Sequence, residues 1–143
     1  MKINNYFHIE EFVPPQIFKK FGENSIWFID PKVIAIATAY REFFGVPVHI
    51  NDWHTGGKMT YRGYRPPRVN VGAEYSQHKM GRAFDCNIGK MTSKEMYDKV
   101  IANYEHFKAF GLTTLENYKF TDGWLHSDCR ITNTNKLLIV DPL

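Results

Sequence analysis

The chain reads as an α+β protein, with helices packed against a small central antiparallel sheet. Three observations lead there. Two stretches, opening at Asp30 and at Thr92, pair a capping residue with apolar residues at helical spacing. Several shorter stretches, 46–50, 83–88, 112–116, 124–131 and 136–140, have the length and the apolar pattern of strands. The 143 residues suffice for one domain (1–143) with a substantial core.

In chain order, residues 8–15 read as a short segment stopped by Pro14-Pro15, with a short helix predicted over 15–21 and a turn over 22–25. Asp30 is a good N-cap and Pro31 suits the first helical position. Val33, Ile34, Ala37, Tyr40, Arg41 and Phe44 then follow helical spacing, and Gly45 ends the helix. Residues 46–50 alternate as a strand, which Pro47 pushes to an edge, and His49 points to solvent. Residues 51–60 form a Gly-Gly loop whose His54 is a surface residue or reaches a cleft, and 69–75 read as a loop or short helix. Thr92 and Glu95 make a capping box for a long helix, striped by Met96, Val100, Ile101, Tyr104 and Phe107 and closed by Gly111. His106 lies off that stripe. Strands over 112–116 and 136–140 complete the elements. The chain has no internal repeat and no low-complexity run.

The chemistry concentrates in Ser76-Gln77-His78-Lys79-Met80-Gly81-Arg82-Ala83-Phe84-Asp85 and Trp124-Leu125-His126-Ser127-Asp128-Cys129-Arg130-Ile131. Strand alternation puts Ala83, Asp85 and Asn87 on one face, and Phe84, Cys86 and Ile88 on the other. In the second segment Trp124, His126, Asp128 and Arg130 share a face, opposite Leu125, Ser127, Cys129 and Ile131. If the two strands are neighbours, His78, Asp85 and His126 converge. Two imidazoles and a carboxylate are a usual zinc triad, with a fourth position left for water.

These residues resemble a known family. Ser-x-His-x-x-Gly-x-Ala-x-Asp followed by Trp-x-His-x-Asp is similar to the zinc-dependent D-Ala-D-Ala carboxypeptidases and L-Ala-D-Glu endopeptidases of peptidoglycan, which share the Hedgehog/DD-peptidase fold. Tyr61-Arg62-Gly63-Tyr64-Arg65-Pro66-Pro67 resembles the family's Ser-Gly-Tyr-Arg-Ser-Pro segment, with Arg62 where the serine stands. The resemblance covers roughly residues 7–130, and the three motifs come in the family's order. It implies one Zn²⁺ on His78, Asp85 and His126, and a peptidoglycan peptide as substrate. It also implies that Arg65 binds substrate or stabilises developing negative charge, and that Ser76 hydrogen-bonds substrate. On residue type alone Arg65 is a surface arginine and Ser76 a turn-forming serine. Trp124, on the site face, is expected to wall the cleft, and Gly81 and Ala83 to keep bulk away from the metal.

Amide hydrolysis needs a group that takes a proton from water and gives it to the leaving amine. Several relatives carry an acid three residues before the last zinc histidine; here that position is Gly123. Asp128 is ranked first as the base, with a role orienting a zinc histidine as its alternative, then Glu116, then Asp122. The departure at position 123 also leaves open a non-catalytic, zinc-stabilised binding or structural module. Which bond is cut stays open, since Arg62, Arg65 and Arg82 could each hold a terminal carboxylate.

Net charge is +3, too small to argue for nucleic acid. Met1 to Tyr6 is followed by no long apolar run, so neither a signal peptide, a membrane span nor stable membrane association is expected. For a wall-cutting enzyme this suggests a protein held in the cytoplasm until the membrane is breached, as in a phage or prophage endolysin, or one leaving by another route. A monomer is expected. Cys86 and Cys129 face the core and read as two free thiols, a disulfide being the alternative. No nucleophile elbow, P-loop or dinucleotide fingerprint is present.

Overall fold

Pro14-Pro15 stops the N-terminal segment and starts α1 (Pro15–Phe21), with Pro15 at the first helical position. The computed structural model describes residues 1–142. In α2 (Pro31–Phe44) the Asp30 carboxylate accepts from the Lys32 N–H at 2.9 Å, and Gly45 closes the helix at φ 67°. Val33, Ile36, Ala37, Ala39 and Tyr40 form its buried face, so Val33, Ala37 and Tyr40 lie where the spacing predicts, while the face turns toward Ile36 and Ala39 and leaves Ile34, Arg41 and Phe44 only partly buried.

Among the described residues, four helices pack on a five-stranded, mixed and mostly antiparallel sheet. Its strands are β1 (Val48–His49), β2 (Ala83–Ile88), β3 (Thr114–Glu116), β4 (Leu125–Asp128) and β5 (Leu138–Val140), in the spatial order β1-β2-β4-β3-β5. The other helices are α3 (Ser93–Ala102) and α4 (Tyr104–Lys108). Helices α2 and α3 lie against β2. Phe84, Cys86 and Ile88 turn into the core, and the Tyr40 ring stands 5.9 Å from Phe84 and 4.9 Å from Phe107. Ser127, on the core side of β4, is satisfied there by the Tyr40 hydroxyl at 2.8 Å.

Four expectations are corrected. The sheet is not wholly antiparallel: β5 runs parallel to β3, with Thr114 opposite Leu138. The single long helix from Thr92 is two, because Asn103 leaves helical geometry (φ −118°, ψ 25°) and turns its side chain back to the Lys99 carbonyl at 2.8 Å. Ile101 is 38% exposed rather than on the buried stripe, while Met96, Val100 and Phe107 are buried as predicted. Ile131 is 85% exposed, since β4 ends at Asp128, whose carboxylate captures the Arg130 backbone N–H at 3.2 Å and breaks the alternation.

His49 sits exposed against Asp52 at 3.1 Å, and His106 is exposed against Phe43 and Phe110. Both cysteines are buried and free. No helix is long and apolar enough to cross a membrane among the described residues.

Candidate metal centre

The site is assembled by two strands and a turn. Ser76 caps a 3-10 turn, Gln77–Met80, by accepting from the His78 N–H at 3.2 Å, and this turn aims the imidazole inward. Gly81 ends the turn at φ 69°, where a Cβ would lie 1.9 Å from the Phe28 carbonyl oxygen. Gly81 thus serves the turn and its contact with the Phe28 backbone, rather than clearing space around a metal as expected from the sequence. The chain then enters β2, and the β2–β4 register sets Asp85 directly opposite His126. Ala83 pairs with Asp128 in the same register.

The segment carrying Arg62, Gly63 and Arg65 is stapled to this framework. The Tyr64 N–H donates to the Phe12 carbonyl at 2.7 Å, the Asp85 N–H to the Arg62 carbonyl at 2.7 Å, and the Arg65 N–H to the His78 carbonyl at 3.1 Å. Gly63 permits this approach, since a Cβ there would stand 2.2 Å from the Phe12 oxygen.

His78, Asp85 and His126 are all buried, and their ligand atoms lie within 4.8 Å of one another. His78 Nε2 is 3.2 Å and His126 Nδ1 2.9 Å from the same oxygen, Asp85 Oδ1. The remaining nitrogen of each ring is held from behind. His78 Nδ1–H donates to the Gly63 carbonyl at 2.8 Å, and His126 Nε2–H donates to Asp128 Oδ2 at 2.8 Å. A backbone carbonyl can only accept, so the proton of a neutral His78 sits on Nδ1 and its Nε2 lone pair faces the Asp85 carboxylate. Two acceptors facing each other across 3.2 Å are a place for a cation. Arg65 Nη2 holds the other Asp85 oxygen at 3.3 Å, and its Nε donates to the Tyr61 carbonyl at 2.7 Å. Asp85 therefore presents a single oxygen to the two rings.

The charges follow from these contacts. Burial alone would raise the Asp85 pKa, but His78 and His126 more than reverse this and hold it well below the usual carboxylate range. Burial lowers His78, against the pull of Asp85. Burial would also lower His126, but its bonds to Asp128 and Asp85 push it up to about 10 in the metal-free chain. Burial raises Glu116, with the His126 charge working against it. Asp128 is lowered: burial opposes ionisation, yet hydrogen bonds from Arg130 and His126 win.

The triad lies at the base of a cleft of about 670 Å³, lined also by Arg65, Ser76, Glu116, Trp124 and Arg130. Glu116 Oε2 stands 3.9 Å from His126 Nδ1. Asp128, ranked first from the sequence as the base, sits elsewhere. It is 0% exposed, lies behind the Nε2 edge of His126, is clamped by Arg130 at 2.6 Å, and is not part of the cleft wall. Strand alternation gave its face correctly but not its depth. Asp122 is exposed on a neighbouring lobe of the cleft, and His54 is outside both lobes.

Two contributors escaped the sequence reading. The Gly63 carbonyl is a backbone group, to which no residue type points. Arg130 clamps Asp128 through Nε and Nη2, and the signal for this in the sequence is an arginine two residues beyond a strand aspartate on the same face.

Among the described residues this His-Asp-His group could hold a metal ion. Compared with family models, with curated proteins and with solved structures, the chain matches none.

Proposed function

We propose that the chain is a zinc metallopeptidase of the Hedgehog/DD-peptidase type that hydrolyses a peptide bond in bacterial peptidoglycan. The observation that carries this is the arrangement of the two imidazoles. Each has one nitrogen committed to an acceptor behind it and the other turned to a shared carboxylate oxygen at the base of an open cleft. Buried histidines oriented from behind in this way are how metal sites fix tautomer and ring direction. Two nitrogens and one oxygen with an open side suit catalytic zinc.

Zinc held by His78, Asp85 and His126 would polarise the scissile carbonyl and make a water acidic enough to attack near neutral pH. The protein supplies the rest. Glu116 is half-buried on the cleft wall beside His126, in position to accept the proton of the attacking water and pass it to the leaving amine. We assign the base to Glu116 in place of Asp128. Asp128, neutralised by Arg130, orients His126 and strengthens its Nδ1 as a ligand. Arg65 fixes Asp85 and faces the cleft, where its charge favours the negative charge that develops on the carbonyl oxygen. Ser76 and Trp124 line the path of the peptide.

The test is clearing of purified wall with and without a chelator, with new amino termini identified by mass spectrometry. Zinc-dependent clearing with new termini supports the peptidase. Tight wall binding with no new termini would replace it by a binding module.

A further inference from the structure

The loop that joins Arg65 to His78 turns back onto the metal centre. Its neck is closed by the Arg65 N–H, which donates to the His78 carbonyl at 3.1 Å. None of residues 66–77 is buried, so core packing does not place the loop. Two backbone bonds lie inside it, from the Val69 N–H to the Pro66 carbonyl and from the Ser76 N–H to the Ala73 carbonyl. Midway along, Gly72 takes φ 73°, and a Cβ there would stand 2.7 Å from Arg65 Nη1 and 3.8 Å from Arg65 Cζ, with nothing else within 4 Å.

We propose that Gly72 is a positioning residue for the metal centre. Its bare backbone seats the Arg65 guanidinium, and the guanidinium in turn holds Asp85 so that one oxygen is left for the metal. This rests on the metal centre of the proposed peptidase, and it holds whichever bond that peptidase cuts.

The other close glycines of the site differ in kind. At Gly63 and Gly81 a Cβ would strike backbone, at Phe12 and Phe28, so those two serve the packing of the chain on itself. At Gly72 the space is open except for the charged tip of one side chain. A side chain at position 72 would therefore act on Arg65 and on little else.

The three guanidinium nitrogens are all accounted for. Nε donates to the Tyr61 carbonyl at 2.7 Å, Nη2 donates to Asp85 Oδ2 at 3.3 Å, and Nη1 lies against Gly72. The Tyr61 bond is tight and the Asp85 bond is long. A guanidinium is planar and rigid, so pushing Nη1 moves Nη2 with it. The longer bond is the weaker restraint and yields first. Asp85 Oδ2 then loses its partner, and the carboxylate is free to turn away from the single-oxygen arrangement it now offers to His78 and His126.

The experiment measures Zn²⁺ affinity by competition with a chromophoric chelator, without peptide, and thermal unfolding of each metal-free protein alongside. The proteins are the wild type, Gly72→Ala, Gly72→Asn, Arg65→Lys, and Gly72→Ala combined with Arg65→Lys. Gly72→Ala should weaken zinc about tenfold, the low end for loss of a ligand's supporting bond, because the bond is loosened and not removed. Asparagine tolerates a left-handed backbone better than alanine but carries the same Cβ. Gly72→Asn should therefore weaken zinc as much as Gly72→Ala while lowering Tm less. Lysine at position 65 keeps a cation and has no Nη1. On that background Gly72→Ala should change zinc affinity by less than about twofold.

Equal zinc affinity in Gly72→Ala and the wild type overturns the proposal. So does a loss as large on the Arg65→Lys background as on the wild type, which would assign the effect to strain carried along the loop to His78. A Gly72→Asn protein that keeps wild-type zinc affinity overturns it too, since backbone strain would then be the cause. A wild type that binds no zinc refutes the metal centre and this proposal together. The peptidase reading is judged apart, by amine release from stem peptides at saturating zinc. Failure to release any refutes that reading and leaves the role of Gly72 standing on the zinc measurements.

Discussion

Asp128→Asn separates the two assignments of the catalytic base. The carboxylate accepts from His126 Nε2 at 2.8 Å and from Arg130 N, Nε and Nη2 at 3.2, 2.8 and 2.6 Å, and it is 0% exposed. Asparagine keeps one acceptor oxygen and turns the other into a donor. An NH2 in place of Oδ2 faces both His126 Nε2–H and Arg130 Nη2–H, and in place of Oδ1 both Arg130 N–H and Nε–H. A charge-assisted bond from Arg130 is lost in either orientation, worth about 1.5–3 kcal/mol. The Arg130 side chain is 27% exposed and can turn to water, which holds the loss to about 2 kcal/mol. At this chain length that is a drop in Tm of roughly 5–8 °C.

Zinc affinity should fall about 10–100-fold, because the charged acceptor that orients the His126 ring has become a neutral amide. Competition with a chromophoric chelator reads this directly. At saturating zinc, amine release should return close to wild type, since Asp128 does not reach the cleft. Glu116→Gln should do the reverse, keeping zinc and losing about 10²–10⁴-fold in kcat. An active Glu116→Gln beside a dead Asp128→Asn at saturating zinc would refute the reassignment and return the proton-transfer role to Asp128.

Other outcomes follow from the same geometry. In the metal-free chain His126 is an imidazolium with a pKa of about 10, and a metal must displace its proton. The proton competes below that pKa, so zinc affinity should rise about tenfold per pH unit from roughly pH 7 to 9, and a flat profile in calorimetry would exclude a protonated His126. Gly63→Ala brings a Cβ to 2.2 Å from the Phe12 carbonyl oxygen, which should cost about 1–3 kcal/mol in urea unfolding and weaken zinc through the His78–Gly63 bond. Burial pushes Cys129 up to about 12 and Cys86 higher, so neither thiol should react with a disulfide reagent at pH 8 until the chain unfolds.

How far these residues could be read without coordinates depends on what a periodic pattern contains. Period-two alternation gave the faces of β2 and β4, and hence the company of His126 and Asp128 on one strand. It could not give the pairing of the two strands, which is set by the packing of Phe84, Leu125 and their core neighbours. Nor could it give the direction of β5, because a short apolar run reads alike in a parallel or an antiparallel neighbour. Local side-chain bonds were the other blind spot. Asn103 broke one predicted helix, and Asp128 ended one predicted strand, each by taking a backbone group away from the regular ladder.

The Asp128 case joins the two. The bond that stops β4 at Asp128 also draws in Arg130, and Arg130 is what makes a buried charge behind His126 tolerable. With that charge neutralised and out of contact with water, Asp128 lies off the cleft. The acid on the cleft wall is Glu116, at the end of the neighbouring strand and paired with Val140 of β5. An acid two residues from a metal histidine shares its face by pattern. Whether it lies above or behind the ring depends on the next cation in the chain, and here Arg130 holds it behind.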